Sequence, residues 1–383
     1  MKVWIVSIFL LALAGIAVYV VCGVMFSGMA SRSPYDIPSG RYDYDMISMN
    51  FNRSVHFPEP RSTSGAMPQP PRADYVAKED YLGRTFSVGV YHKDKEFARQ
   101  VAQKAMRRIE KLALMADPAI EESELSRINR DAAGRKPVQL SEDMYALLKR
   151  SMEISEKSNG AFDLTAGPLR RLYAAYLARE MTPPIDEITE ARAVVGRKLV
   201  ELSEAGGKHF IHFTKPGVTL DLRDVIGGFC LDQAVYALRA ETITSGYANV
   251  GDCWRLMTPP SWAESNVPWI MGIPSPRPEQ AGKASSTFSF DPAHNPDIGA
   301  VVSKGYYSFY RFVGNSAVTD IVDPRSGACA GGVSVCTVVG PDALTCDAMA
   351  AVAVVLGPGE VDFFFKSFNP KEEEVKAKKS TEE

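Results

Sequence analysis

Residues 219–232, TLDLRDVIGGFCLD, combine a β-like run, a glycine pair and the start of a helix. A glycine-rich turn that opens a helix can hold a phosphate, because backbone N–H groups and the helix dipole face the ligand. Gly227 and Gly228 therefore predict a phosphate site. The stretch has no lysine for the phosphate, however, and Asp224 would repel the phosphate unless a metal ion lies between them.

Other segments are also richer in Gly, Asp, Ser and Asn than a plain core requires. They are SELSRIN (123–129), NGAFDLTAGPL (159–169), YANVGD (247–252), TDIVDPRSG (319–327) and CDAMAA (346–351). Taken singly, Asp163 and Asp323 are turn formers and Asp347 is a helix N-terminal charge. Their order and spacing are more informative than any one of them.

Composition and charge restrict the class of protein. The chain has 383 residues, 45% of them hydrophobic, so it can bury a core in one large domain or two smaller ones. Its formal net charge is −3, whereas nucleic-acid-binding domains usually show a basic face and a pI above ~9. The sequence therefore predicts no nucleic-acid partner.

Residues 1–30 contain a long apolar run. Residues 3–26 carry no charge, and a helix with a rise of 1.5 Å per residue is then long enough to cross a ~30 Å hydrocarbon layer. A cleavable signal has an apolar core of only ~7–15 residues, although Gly28-Met29-Ala30 is a passable cleavage site. We predict one N-terminal transmembrane helix, with a cleaved signal as the alternative, and a soluble domain on the extracytoplasmic (periplasmic) side.

The rest of the chain divides by composition into three parts. Residues 31–78 are proline-rich and show no sustained hydrophobic period, which is typical of a tether. Residues 370–383 form a mixed-charge tail that we expect to be solvated. The folded domain is accordingly predicted over residues 79–369.

Helical and strand patterns are mixed within this domain. Residues 84–91 alternate like a strand, and a helix is predicted from about Glu96 to Leu114. Ser141 is a good N-cap for a second helix, to about Lys157. Further β-like runs lie at 209–213, 218–222, 269–273, 300–303, 317–322 and 333–339, with helices near 229–240 and 345–356. Because there is no regular βαβ repeat, the pattern predicts an α+β fold with mixed, mostly antiparallel sheets.

Nine segments together resemble the FAD:protein FMN transferase family over about residues 82–357. They are LGRTFSV (82–88), SELSRIN (123–129), GAFDLTAGPL (160–169), LDLRDVIGGFCLD (220–232), NVGD (249–252), PWIMGI (268–273), VVSKGYYSFYRF (301–312), DIVDPRSG (320–327) and DALTCDAMAA (342–351). All of them occur in the family's order, which makes the resemblance specific.

The resemblance implies a reaction at the pyrophosphate of FAD. In the family a divalent cation, usually magnesium, bridges the phosphates, and FMN passes to a Thr or Ser hydroxyl of a partner protein with release of AMP. Some members hydrolyse FAD instead. In such phosphoryl transfer, positioning and charge neutralisation provide most of the catalysis. The implied cofactors are FAD and Mg²⁺, and the implied partner is a flavin-accepting or redox membrane protein.

The resemblance also implies roles for individual residues. Asp320 and Asp323 fall at catalytic positions, and Asp347 falls at a metal-binding position, with Asp224 as a hypothetical second ligand. The implied cofactor-binding residues are Arg84, Asp163, Arg223, Gly227, Gly228, Asp232, Asn249, Ser303 and Arg325.

The chain departs from the family pattern at several of these positions. Gly227 stands where the family has lysine, Asp320 where it has histidine, and Ala351 where it has a metal-binding threonine. Arg84 replaces the threonine of an MGT segment. A cation and neutral ligands are thus lost while acids appear.

Two interpretations follow from these departures. In the first, the site is eroded, and the protein is a flavin-binding or structural accessory subunit of a membrane redox or envelope complex with little turnover. In the second, Asp224 replaces the missing threonine at the metal, and Arg223 or Arg84 replaces the lysine charge. Transfer or FAD hydrolysis then survives.

Overall fold

The computed structural model describes most of the chain from residue 61 onward. The described residues are 19–25, 44–46, 61–134, 136–260, 268–275, 280, 282–290, 299–305, 310–313, 316–319, 321–330 and 333–367. Within these ranges, no helix combines the length and the apolar composition that crossing a membrane requires.

The elements follow one another in a mixed α+β order. The strands are β1 (Tyr19–Met25), β2 (Tyr44–Met46), β3 (Arg61–Ala66), β4 (Tyr75–Tyr81), β5 (Arg84–Val90), β6 (Val138–Leu140), β7 (Val200–Ala205), β8 (Lys208–Phe213), β9 (Gly246–Val250), β10 (Cys253–Leu256), β11 (Trp269–Pro274), β12 (Lys283–Phe290), β13 (Ala300–Lys304), β14 (Tyr310–Val313), β15 (Ser316–Thr319) and β16 (Val333–Gly340). The helices are α1 (Lys95–Met115), α2 (Glu124–Asp131), α3 (Glu142–Lys157), α4 (Gly167–Leu177), α5 (Ile185–Arg192), α6 (Ile226–Ala240) and α7 (Ala343–Ser367), with a kink at Gly357 in α7.

The largest sheet has eight strands in the order β2-β1-β16-β13-β10-β9-β5-β4. Each neighbouring pair is antiparallel. Smaller sheets are formed by β11-β12-β3, by β14-β15 and by β6-β8-β7. The structure thus confirms the α+β fold with antiparallel sheets.

Helices α1, α6 and α7 pack on the large sheet and on one another. Helix α1 buries its apolar stripe, which includes Val101, Ile109 and Leu112, and it begins where Asp94 accepts hydrogen bonds from two backbone N–H groups. As predicted, Ser141 caps α3 by accepting a hydrogen bond from the Met144 N–H at 3.2 Å. The core lies between these helices and the sheet.

One predicted strand does not form. Residues 218–222 have the apolar alternation of a strand, yet they form a loop. Asn129 takes the place of a neighbouring strand: its amide nitrogen donates to the Leu220 carbonyl at 3.0 Å, and its amide oxygen accepts from the Leu220 N–H at 2.7 Å. The local sequence pattern does not show whether the backbone hydrogen bonds of residues 218–222 are made with a neighbouring strand or with a side chain such as that of Asn129.

The N-terminal prediction is tested only in part. Residues 19–25, which belong to the predicted membrane helix, form strand β1, antiparallel to β16. The run YVVCGVM is rich in β-branched and aromatic residues, which favour strands. The other residues of the predicted anchor lie outside the described residues, so the membrane anchor stays a prediction.

Part of the predicted tether belongs to a sheet. Strand β3 lies within residues 31–78 and pairs antiparallel with β12. Strand β4 begins at Tyr75 and pairs with β5 along its whole length. The folded structure therefore starts earlier than the composition change near residue 79 indicates.

Candidate functional site

A cleft of about 950 Å³ lies where the ends of β5, β9, β10 and β13 meet the loop before α6. This volume is near the upper end of the roughly 300–1,000 Å³ range of small-molecule sites. The loop is held in place from behind, since the Asp221 N–H donates to the Leu164 carbonyl at 2.7 Å and Asn129 holds Leu220. The cleft therefore has a rigid wall.

Lys304, at the end of β13, lies between two carboxylates that face this cleft. Its Nζ is 3.0 Å from Asp224 Oδ1 and 2.8 Å from Asp347 Oδ1. Nζ also donates to the backbone carbonyl of Asp224 at 3.3 Å. Because an ammonium has three N–H donors, every donor of Lys304 has a protein oxygen within reach.

The two carboxylates differ in their other partners. Asp224 also pairs with Arg170, whereas Asp347 accepts a hydrogen bond from the Gly228 N–H at 3.2 Å. Burial alone would raise the pKa of Asp224, but the charges of Arg170 and Lys304 outweigh it and hold that pKa well below its usual range. Burial raises the pKa of Asp347, and Lys304 offsets only part of this effect.

Lys304 itself stays charged. Burial works to lower its pKa, but the carboxylates of Asp224 and Asp347 outweigh burial and raise the pKa above its ordinary value. The side chain is only 17% exposed. The cleft therefore contains a built-in, buried positive charge.

A second cation, Arg84, enters the cleft from the start of β5. Its guanidinium lies against Gly227: a Cβ at that glycine would be 3.3 Å from Arg84 Nη2. In the described part of the chain Arg84 forms no ion pair, unlike Arg223, whose Nε is 2.9 Å from Asp221 Oδ2. Gly227 thus leaves room for a guanidinium that is available to an anionic ligand.

Gly228 has a different structural role. A Cβ there would lie 2.3 Å from the backbone oxygen of Ala343, at the start of α7. The residue must be glycine for α6 and α7 to pack this closely. That close contact places Asp347, on α7, beside Lys304.

The family of the chain follows from comparison with known proteins. The model of the ApbE family matches residues 82–374, which include all the segments that line the cleft. The chain belongs to the ApbE family. This confirms the resemblance seen in the sequence, and the α+β fold is that of solved ApbE structures.

Individual ApbE relatives are distant. The chain is similar to an ApbE protein from Thermotoga maritima, with a TM-score of 0.65 and 25% identity over 76% of this chain and 89% of that one. An FAD:protein FMN transferase from Klebsiella pneumoniae is 26% identical over 64% of this chain and 68% of its own length. One from Treponema pallidum is 31% identical, but the match covers only 34% of this chain and 37% of that protein.

The cleft brings together several residues that the sequence predicts for an ApbE site. They are Arg84, Arg223, Asp224, Ser303 and Asp347. Gly227 and Gly228 lie directly behind them, against Arg84 and Asp347 respectively. These residues come from distant parts of the sequence and share one surface.

Three other predicted cofactor residues hold the backbone elsewhere and do not line the cleft. Asp163 accepts hydrogen bonds from the Thr165 and Arg197 N–H groups, each at 2.8 Å. Asp232 accepts from the first N–H groups of α7. Asn249 donates to the Gly251 carbonyl at 2.8 Å within the β9–β10 turn. Their places in the structure are those of turn and helix caps.

Within the predicted catalytic segment, Ile321 lines the cleft, whereas Asp323 and Arg325 do not. Arg325 Nε donates to Asp323 Oδ1 at 3.0 Å, and Asp323 also accepts from the Arg325 N–H within the same turn. Asp320 lies outside the described residues. The catalytic roles of Asp320 and Asp323 stay predictions.

The predicted metal ligands do not fit a divalent cation. Asp224 and Asp347 are joined through Lys304, and Ala351 has no side-chain oxygen to supply a third ligand. Among the described residues, no group of three His, Cys, Asp or Glu side chains could hold a metal ion. The hypothesis that Asp224 replaces the family threonine at a metal therefore has no support in this geometry.

Sequence reasoning missed Lys304 and Arg170. The segment VVSKGYYSFYRF contains Lys304, but Ser303 was the residue predicted for the site. A usable signal existed: the lysine follows a run of apolar strand residues and precedes a glycine, so a charge occurs where a buried strand ends. Arg170 gave no comparable signal, because an arginine on a helix is usually exposed.

Proposed function

We propose that this ApbE-family protein binds FAD in the cleft and transfers FMN from it to a hydroxyl of a partner protein. The observation that carries the proposal is the guanidinium of Arg84 against Gly227. The family resemblance places a lysine at Gly227. Arg84 thus provides a positive charge where the lysine charge is missing.

The charge distribution of the cleft supports an anionic ligand. Arg84 and Arg171 line it without an ion pair in the described part of the chain. Of the five acids among the described lining residues, Asp224 and Asp347 pair with Lys304 and Asp221 pairs with Arg223; the other two are Asp117 and Asp252. A guanidinium offers planar, paired donors that match phosphate oxygens. The pyrophosphate of a dinucleotide is such an anion.

The proposed reaction is a substitution at phosphorus. An acceptor hydroxyl oxygen forms a bond to the FMN-side phosphorus, the bond from that phosphorus to the bridging oxygen breaks, and AMP leaves with that oxygen. The hydroxyl proton passes to a base or to solvent. Water in place of the hydroxyl would yield FMN and AMP. Catalysis of this kind depends mainly on positioning and on neutralising the charge of the phosphates.

The role of Arg84 can be tested by binding. We expect Arg84→Ala to weaken FAD binding by the protein about tenfold or more, because a charged hydrogen bond contributes ~1.5–3 kcal/mol. Arg84→Lys should retain most of the affinity. Arg99→Ala is the matched control, since Arg99 is on α1 and pairs with Glu96. Unchanged FAD affinity in Arg84→Ala would contradict the proposal.

A non-catalytic role is the second candidate. The observation that favours it is the ion-paired state of Asp224 and Asp347, which leaves no ligand set for a catalytic metal among the described residues. Incubation with FAD and a Thr- or Ser-containing acceptor peptide, with and without Mg²⁺, followed by chromatography for AMP, distinguishes the two. AMP release supports the transferase or FAD hydrolase, binding without AMP supports a flavin-binding accessory subunit, and no binding contradicts both flavin roles.

We also propose a cellular location and a partner for this protein. Residues 19–25 of the apolar run form strand β1, so the proposal of membrane attachment, with the folded domain on the extracytoplasmic (periplasmic) side, rests on the apolar residues that precede β1. A flavin-accepting or redox membrane protein would then be the partner. A protease-protection assay on membrane vesicles of known orientation tests the sidedness.

A further inference from the structure

The environment of Lys304 resembles that of a bound cation. Three oxygens surround its Nζ: Asp347 Oδ1 at 2.8 Å, Asp224 Oδ1 at 3.0 Å and the Asp224 carbonyl at 3.3 Å. Two carboxylates and a backbone carbonyl are the oxygen types that Mg²⁺ and Mn²⁺ prefer. The ammonium occupies the point on which these oxygens converge.

The position of the ammonium is fixed by the sheet. Lys304 is the last residue of β13, which pairs with β10 on one side and β16 on the other. The backbone of Lys304 itself is in register with Cys336. A side chain that extends from an interior strand into a buried ion pair has little freedom to withdraw.

The charges around Lys304 already balance. Arg170, Arg223 and Lys304 carry three positive charges against the three negative charges of Asp221, Asp224 and Asp347. A divalent ion at the same oxygens would need contacts of about 2.0–2.1 Å. It would have to displace the ammonium and would place two further positive charges beside it.

We propose that Lys304 replaces the divalent cation in this protein, so that the cleft binds its flavin nucleotide without a metal. The inference rests on the proposed FAD site, but its central claim, that no metal binds at Asp224 and Asp347, does not. The ammonium acts as a fixed charge, since its three donors are engaged with protein oxygens, and Arg84 supplies free donors to the phosphates.

Mn²⁺ binding tests the central claim without any flavin. The full chain is titrated with Mn²⁺, and free Mn²⁺ is followed by electron paramagnetic resonance. We expect no saturable site in the parent protein at millimolar Mn²⁺. One saturable site that is lost in Asp347→Asn would overturn the proposal, whatever the flavin results are.

Removing the ammonium should create a metal site. In Lys304→Ser the carboxylates of Asp224 and Asp347 are left facing each other, and we expect one equivalent of Mn²⁺ to bind. Lys304→Arg keeps a cation and should bind none. Lys104→Ser is the matched control, because Lys104 is exposed and pairs with Glu241. If Lys304→Ser folds, as judged by circular dichroism, and binds no Mn²⁺, the proposal is wrong; if it does not fold, the parent titration decides.

FAD titrations then test whether the protein binds the nucleotide without a metal. Parent affinity for FAD should be the same within about twofold in EDTA and in Mg²⁺. Lys304→Ser should bind FAD about tenfold more weakly in EDTA, because a charge beside the phosphates is lost, and should recover when Mg²⁺ is added. A parent that binds FAD only with Mg²⁺ refutes the inference. A parent that binds neither FAD nor Mn²⁺ refutes the proposed function and leaves the metal result intact.

Discussion

Two buried carboxylate networks meet at α6, and they use similar residues for different purposes. Near the start of the helix, Asp224 joins Arg170 and Lys304 at the wall of the cleft. Further along, Asp232 joins Arg255 of β10, at 2.8 Å, and accepts hydrogen bonds from the first N–H groups of α7. The first network lines the cleft of about 950 Å³, whereas the second fixes one helix to another and borders a smaller cavity of about 310 Å³.

The two aspartates also differ in their ionisation. Two cations hold the pKa of Asp224 below its ordinary value despite burial. Burial raises the pKa of Asp232 to about 6, because Arg255 offsets it only in part and the charge of Asp342 adds to it. The charges of two cations outweigh burial at Asp224, whereas burial outweighs the charge of Arg255 at Asp232.

The largest expected effect comes from removing the cation of the cleft network. Lys304→Ala leaves Asp347 buried without a charge partner, and breaking a buried ion pair in this way costs about 3–5 kcal/mol. The free energy of unfolding is measured by urea denaturation. The double variant Lys304→Ala/Asp347→Asn should recover part of the loss, since the bared carboxylate is neutralised. No recovery would mean that Asp347 does not depend on Lys304.

A smaller loss of stability is expected for substitution of Gly228, one of the two glycines at the start of α6, and none for substitution of the other, Gly227. Gly228→Ala forces a Cβ to within 2.3 Å of the Ala343 oxygen, which is backbone and cannot rotate away. We expect a loss of ~1–3 kcal/mol in stability, as for other overpacked sites. The nearest neighbours of a Cβ in Gly227→Ala are side-chain atoms: Arg84 Nη2 at 3.3 Å, Val250 Cγ1 at 3.4 Å and Arg84 Nη1 at 3.5 Å.

The matched variant Gly227→Ala should therefore keep its stability and lose only a few-fold in FAD affinity, because Arg84 must shift. Thermal unfolding and FAD titration of both variants give the comparison. Equal destabilisation by the two substitutions would show that the α6–α7 contact is not specific to Gly228.

The second network should in addition show a pH dependence of stability. Because the folded pKa of Asp232 is about 6, above its ordinary value of 3.8, the folded state holds the proton more tightly. The stability contributed by this group is full below about pH 4 and is lost as the pH rises through about 6. A tenfold difference in proton affinity between the folded and unfolded states corresponds to roughly 1.4 kcal/mol.

Urea denaturation of the parent and of Asp232→Asn between about pH 4 and pH 7 measures this contribution. The stability of the parent relative to the variant should decline as the pH rises. An opposite trend would mean that Arg255 outweighs burial and that Asp232 behaves as Asp224 does.

Much of the fold could be predicted from local pattern. Helix α1 and the start of α3 follow from apolar spacing and from the cap residue Ser141, since these signals act within a few residues. Residues 218–222 could not be assigned correctly, because their hydrogen-bond partner, Asn129, is distant in sequence. The strand at Tyr19–Met25 was predicted as membrane helix for a similar reason: its partner is β16.

The candidate site was predictable as a set of segments but not as a set of contacts. The segments around Arg84, Asp224, Ser303 and Asp347 were found from their order in the chain, and the fold brings them to one cleft. Lys304 was overlooked, and Asp232 was expected beside the ligand. The direction in which Asp232 faces from α6 is decided by the strands and helices packed against that helix.

The sequence by itself determined the family, the α+β class and the residue types available for phosphate chemistry, because these depend on order and local spacing. Only the tertiary structure decided that Arg84 lies against Gly227 and that Lys304 joins Asp224 to Asp347. Ion pairs form between side chains that are close in space, and closeness across β5, β13, α6 and α7 exists only after the sheet and its helices have packed.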